Sequence, residues 1–131
     1  MTDLEKARDF FYNDKFAAEA TGIILEEVGE CYAKCSFEIQ SKHLNGLGNV
    51  MGGAIYTLAD FTFAVASNFN QPNTVTLTSQ ITYLSKAKGK KLISEAKAIK
   101  NGRSTCCYEI TVSDELGTKV AIVTANGMKL Q

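Results

Sequence analysis

One acid stands inside the most apolar stretch of the chain: Asp60, within residues 52–67. A carboxylate in such a stretch is costly unless it is paired, hydrogen-bonded or put to use. At helical spacing its neighbours are Tyr56, Thr57, Phe63 and Ala64, with Gly53 and Ser67 continuing the stripe. Asp60 therefore falls on the least apolar face of an otherwise apolar helix. Removal from water would raise its pKa, and hydroxyls such as those of Thr57 or Tyr56 would hold it ionised, a balance that suits a general base near neutrality. The competing reading is a structural aspartate that caps or pairs.

A second element runs into the same helix: Asn45-Gly-Leu-Gly-Asn-Val-Met-Gly-Gly53. The first turn of a helix carries N–H groups without intrahelical acceptors, at the positive end of the dipole, and together they suit an oxyanion. Gly52 leaves such a site open to a ligand. The alternative is that these glycines only permit a tight turn into the helix. Asp60 lies eight helical steps beyond Gly52, a rise of about 12 Å. One small carbonyl group can hardly touch both, so base and oxyanion donor are more comfortably supplied by two chains, and the spacing predicts active sites shared across a dimer interface.

The elements that must position these groups follow from pattern. Residues 2–13 place Leu4, Ala7, Phe10 and Phe11 at helical spacing behind Asp3 and Glu5, an amphipathic N-terminal helix. An apolar run at 21–27, a turn marked by Gly29 and an alternating strand at 31–40 suggest a hairpin. Cys31 and Cys35 fall on the apolar face of that strand. Strands are expected at 74–84, 91–99, 104–113 and 119–125, joined as a meander by turns at 86–90, Asn101-Gly102 and 114–117. The central helix, with Ala54, Ile55, Leu58, Ala59, Phe61, Phe63, Val65 and Ala66, is apolar nearly all round and should be buried. The economical arrangement is α+β: a largely antiparallel, curved sheet wrapped around one long central helix, with a short N-terminal helix and one sheet edge left to pair with another subunit. That is the hotdog fold.

Length fits one domain over residues 1–131. Fourteen basic residues balance fourteen acidic ones, without a basic run, which argues against a nucleic-acid partner. Residues 52–67 are short for a bilayer span and hold Asp60, so no membrane role is expected. The acidic N-terminus is unlike a signal peptide, which points to a cytoplasmic protein. Four cysteines without a CxxC pair, and with His43 as the sole histidine, give neither a metal site nor a disulfide framework.

The run from His43 through Asn45, Gly48, Met51, Gly52 and Gly53 to Asp60 resembles the hotdog acyl-CoA thioesterases of the phenylacetate-degradation (PaaI-like) type. The resemblance extends over nearly the whole chain. It takes in Phe11 to Phe16 with Gly22-Ile23, Ile81-Thr-Tyr83-Leu and the closing segment at 114–121. It implies hydrolysis of a small or aromatic acyl-CoA to free acid and CoA, with no cofactor beyond the CoA of the substrate, in a homodimer or homotetramer. The Asp60 equivalent would activate water or attack the thioester, the Gly52 equivalent would donate its N–H to the thioester oxygen, Asn45 would place the water or the carbonyl, and Thr76 would orient water. Gly53, Met51, His43, Tyr56 and Thr57 would border the substrate, and Lys86, Lys88 and Arg103 are candidates for the CoA phosphates.

One departure stands out. The family usually has His directly before the Gly-Gly pair, and this chain has Met51, which neither donates a hydrogen bond nor carries charge. The alternative function is therefore a non-catalytic acyl-CoA-binding or sensing protein, with a compensating role for His43 set against that of an ordinary loop histidine. A hotdog dehydratase ranks last, because the histidine such enzymes commonly use is missing from the helix.

Overall fold

The computed structural model describes residues 1–130. Helix α1 (Asp3–Phe11) is capped by Thr2, whose Oγ1 accepts from the Glu5 N–H at 3.1 Å. A five-residue π-helix (Phe16–Ala20) follows, then β1 (Ile24–Gly29), β2 (Tyr32–Glu38), a 3₁₀ turn (Ser41–His43), helix α2 (Gly52–Asn68), β3 (Thr74–Tyr83), β4 (Lys91–Asn101), β5 (Thr105–Asp114) and β6 (Lys119–Lys129). The strands form one antiparallel sheet in the order β1-β2-β4-β5-β6-β3.

Period-two alternation decides which face is covered. Ala33, Cys35 and Phe37 of β2, Leu92 and Ala96 of β4, and Tyr108, Ile110 and Val112 of β5 are all buried, and α2 lies on these strands through Leu58, Thr62, Val65 and Ala66. Burial of each large side chain contributes about 1.5–3 kcal/mol. The buried hydroxyls of Thr62 and Ser67 donate to the Leu58 and Phe63 carbonyls within the helix, which offsets their desolvation.

Several expectations need correction. The helix is not buried all round: Gly53 and Asp60 are exposed, because the sheet covers one side of α2 and these residues lie on the other. The meander holds only for β4, β5 and β6; β3 crosses to the far edge and pairs with β6. Strand β6 runs beyond Ala125 through Gly127, where a Cβ would stand 2.7 Å from Thr74 Cγ2 and 3.2 Å from Phe63 Cζ. That glycine permits close helix–sheet approach instead of ending the strand. Gly29 is the last residue of β1, and the turn residue with positive φ (52°) is Cys31, which stands just before β2 and packs half-buried against the core.

The crossover from β3 to β4 is held by two turn carboxylates. Asp114, itself buried, accepts from the N–H groups of Lys88 (2.8 Å), Gly89 (2.9 Å), Leu116 (3.0 Å) and Thr118 (2.8 Å). Glu115 accepts from Lys90 and Lys91. Burial alone would raise the Asp114 carboxyl, but the backbone donors at Lys88, Thr118 and Gly89 outweigh it and hold it well below the usual carboxylate range. The stabilisation is thus fully present above the unfolded value of about 4 and is lost as pH falls toward the lower folded value. Asp114→Asn should lower stability by about 2 kcal/mol at neutral pH. In urea titrations across pH the gap to the native chain should close as pH falls below about 4; a gap that stays constant would contradict this role.

Candidate active site

The loop before α2 is organised around Asn45. Its Oδ1 accepts from Leu47 N–H (3.0 Å) and Asn49 N–H (3.2 Å), its own N–H donates to the Asn49 carbonyl (2.8 Å), and its carbonyl accepts from Gly48 N–H (3.0 Å). Gly48 has φ +81°, which favours glycine at the close of this turn. The Met51 N–H donates to the His43 carbonyl at 2.7 Å, and α2 begins at the next residue. Met51 makes no side-chain cap, and the first turn holds no acid. The N–H groups of Gly52 and Gly53, the first two helical residues, are thus left for an external acceptor, with the helix dipole behind them.

Gly52 borders a hollow of about 350 Å³ with Asn49, Val50, Ile55, Tyr83 and the Leu84–Ala87 stretch of the crossover loop. Tyr83 closes over it: its hydroxyl donates to the Gly52 carbonyl at 3.0 Å, and a Cβ on Gly52 would stand 3.0 Å from that oxygen. Nothing in the spacing of β3 singles out Tyr83 for this contact. Gly53 opens instead into a hollow of about 370 Å³ with Phe16, Lys42, His43, Met51, Ala54 and Thr57.

Asp60 stands in a third hollow, of about 280 Å³, with Asp14, Lys15, Phe16, Ala17, Thr57, Phe61 and Ala64. Its carboxylate reaches the surface of the single chain, contrary to the sequestered acid expected, because the residues that flank it leave that side of α2 open. Partial loss of water in this hollow, and secondarily the Asp14 carboxylate, push its pKa up. The expected hydroxyl support is absent: Thr57 Oγ1 donates to the Gly53 carbonyl at 2.8 Å. Among the described residues no cation pairs with Asp60. Asp60 and Gly52 of one chain thus open into different hollows.

His43 is 3% exposed and stacks on Phe37 at 4.1 Å. Its Nδ1 accepts from the Gln40 N–H (2.9 Å), which leaves Nε2 to donate to the Thr21 carbonyl (2.7 Å). Both ring nitrogens are spent on backbone, so His43 has no donor left to stand in for the side chain that Met51 lacks. Tyr56 is half-buried on α2. Thr76 is exposed on β3, at a bulge where the register with β6 shifts between Thr76 and Thr78. Lys86 lines the Gly52 hollow, and Lys88 follows in the same loop. Arg103 lies beyond the other end of β4, which spans 11 residues, about 30 Å of strand. One chain therefore does not bring Arg103 together with Lys86.

The Asn45 geometry separates two roles. Asn45→Asp keeps the oxygen that holds the loop and removes the outward NH₂ donors, whereas Asn45→Ala removes both. If the NH₂ contacts substrate, turnover should fall about tenfold or more in both variants, with thermal stability lost mainly in the alanine variant. Native turnover in Asn45→Asp would reduce Asn45 to a loop organiser.

The Thioesterase superfamily profile matches residues 47–121. A putative esterase of Archaeoglobus fulgidus is 32% identical over 91% of this chain and 78% of that protein. The acyl-coenzyme A thioesterase PaaI of Escherichia coli is 28% identical over 85% of this chain and 80% of that protein. A solved structure of the E. coli PaaI protein aligns with TM-score 0.90 over 98% of this chain and 94% of that one, at 23% identity, and carries the same fold. The structure of smu.793 from Streptococcus mutans, bound to acetyl CoA, aligns with TM-score 0.78 over 82% of this chain and 88% of that one, at 28% identity.

Proposed function

The chain belongs to the Thioesterase superfamily, and from that premise we propose that it hydrolyses acyl-CoA thioesters to free acid and CoA at sites shared between two copies of the chain. The observation that carries this reading is one helix with two separated chemical groups: uncapped N–H donors at Gly52 and Gly53, and an unpaired carboxylate at Asp60. In the reaction, Asp60 takes a proton from water as the water oxygen bonds to the thioester carbon. The Gly52 N–H of the facing chain receives the oxyanion that forms. Collapse of this intermediate breaks the C–S bond, and the proton held by Asp60 passes to the departing CoA sulfur.

Self-association is supported by β3, which has one sheet neighbour and exposes Val75, Leu77 and Tyr83 along its length. Pairing across that edge would carry Thr76 of one copy toward the site of the other. Lys86 beside the Gly52 hollow is the favoured contact for CoA phosphates, with Lys88 behind it and Arg103 available only from another copy. Bound acetyl CoA in the S. mutans relative and the name of the E. coli relative agree with this substrate class.

Met51, 53% exposed among the residues around Gly53, favours a second reading: binding or sensing of acyl-CoA without turnover. Incubation with short, medium and aromatic acyl-CoAs, followed by thiol release, decides between them. The thioesterase reading expects release with at least one class; binding without release would favour the sensor.

A further inference from the structure

A thioester carbonyl beside Asp60 leaves its acyl group within a few ångströms of the same hollow. The side chains there are unequal as acyl contacts. Phe61 is 3% exposed and Ala17 is buried, so both are already committed to the core. Thr57 and Ala64 are small, and Asp14 and Lys15 are polar, with Lys15 paired to Glu19 at 3.1 Å. Phe16 is 70% exposed and is the one large apolar side chain of the hollow with surface left to give. It also lines the adjoining hollow of Met51, Gly53 and Thr57, so it stands where the two meet. The π-helix fixes it there: the Thr21 N–H donates to the Phe16 carbonyl, five residues back, at 2.9 Å, and the Ala18 N–H donates to Asp14 at 2.9 Å.

We propose that Phe16 is a specificity-determining residue of the acyl subsite, its ring forming the wall against which an aromatic acyl group packs. The inference rests on the thioesterase reading for the position of the carbonyl. An aromatic acyl group gains ring–ring contact and covers apolar surface that water now touches, whereas an acetyl group offers a single methyl and gains little from the ring.

The test uses benzoyl-CoA and acetyl-CoA. Dissociation constants are measured by calorimetry in the Asp60→Asn background with Phe16, Phe16→Ala and Phe16→Leu, and kcat/KM is measured for the same Phe16 variants with Asp60 intact. The preference for benzoyl over acetyl should fall about tenfold in Phe16→Ala and recover in part in Phe16→Leu. Acetyl-CoA values should stay within about twofold. The proposal is overturned by an unchanged preference, by equal weakening of both thioesters, or by a change of mass in light scattering, which would make the ring a contact between copies. If no thioester is hydrolysed by the native chain, the catalytic reading fails; a preference that still falls in the binding arm supports the subsite.

Discussion

Asp60→Asn should lower kcat about a thousandfold, the middle of the range for loss of a positioned general base, equivalent to about 4 kcal/mol of transition-state stabilisation. Asn keeps the shape of the side chain and removes only the ability to take a proton, so KM should change little. The fold should not suffer. Among the described residues the carboxylate has no ion-pair partner, and its pKa is raised by partial burial and by Asp14. A carboxyl whose folded pKa exceeds its unfolded value contributes stability below the unfolded pKa that is lost as pH rises through the folded one. Near neutrality the charged form is therefore the less comfortable state, and Asp60→Asn should unfold at the same or a slightly higher temperature than the native chain. Hydrolysis within about tenfold of native, measured as thiol release in a variant shown to be folded, would remove Asp60 from the chemistry.

The acid and the glycine-rich loop were legible because each breaks a local rule. A carboxylate interrupts an apolar helix, and a run of glycines precedes a helix start that lacks a Ser, Thr or Asp cap. The antiparallel sheet was legible from alternation and turn residues, and the sheet curved around α2 agrees with the fold seen in the E. coli relative. Strand order was not. Nothing local to residues 74–83 tells that they pair with β6 instead of β4, and the crossover loop that separates β3 from β4 is tied down through Asp114 and Glu115, some 25 residues later. Burial of Asp60 was misjudged for a related reason: helix periodicity says which residues share a face, but the sheet leaves one face of α2 open. His43 shows the same gap, since its two backbone partners, Gln40 and Thr21, lie 3 and 22 residues away and only folding brings the farther one to the ring.

Mixing two inactive variants should restore activity if base and oxyanion donor come from different chains. One variant is Asp60→Ala; the other is Gly52→Pro, which deletes the N–H at the first helical position while suiting the backbone. Proline fits that position, and Met51 before it is already extended (φ −62°, ψ 136°). The ring will crowd Tyr83, whose hydroxyl would lie 3.0 Å from a Cβ at Gly52. Gly52→Ala meets the same crowding but keeps the N–H, so the extra loss in proline over alanine measures the donor, about a hundredfold in kcat. In a two-fold dimer of the two variants, one site has lost both groups and the other has lost neither. A heterodimer isolated by separate affinity tags should therefore show about half the native activity, and random exchange at equal concentrations about a quarter. Sites built within one chain would leave every site in the mixture with one group missing, and activity would stay at the level of the parents. The two outcomes differ by about two orders of magnitude, far more than differences in folding or tag recovery could produce, and inactivity in verified heterodimers would return both groups to a single chain.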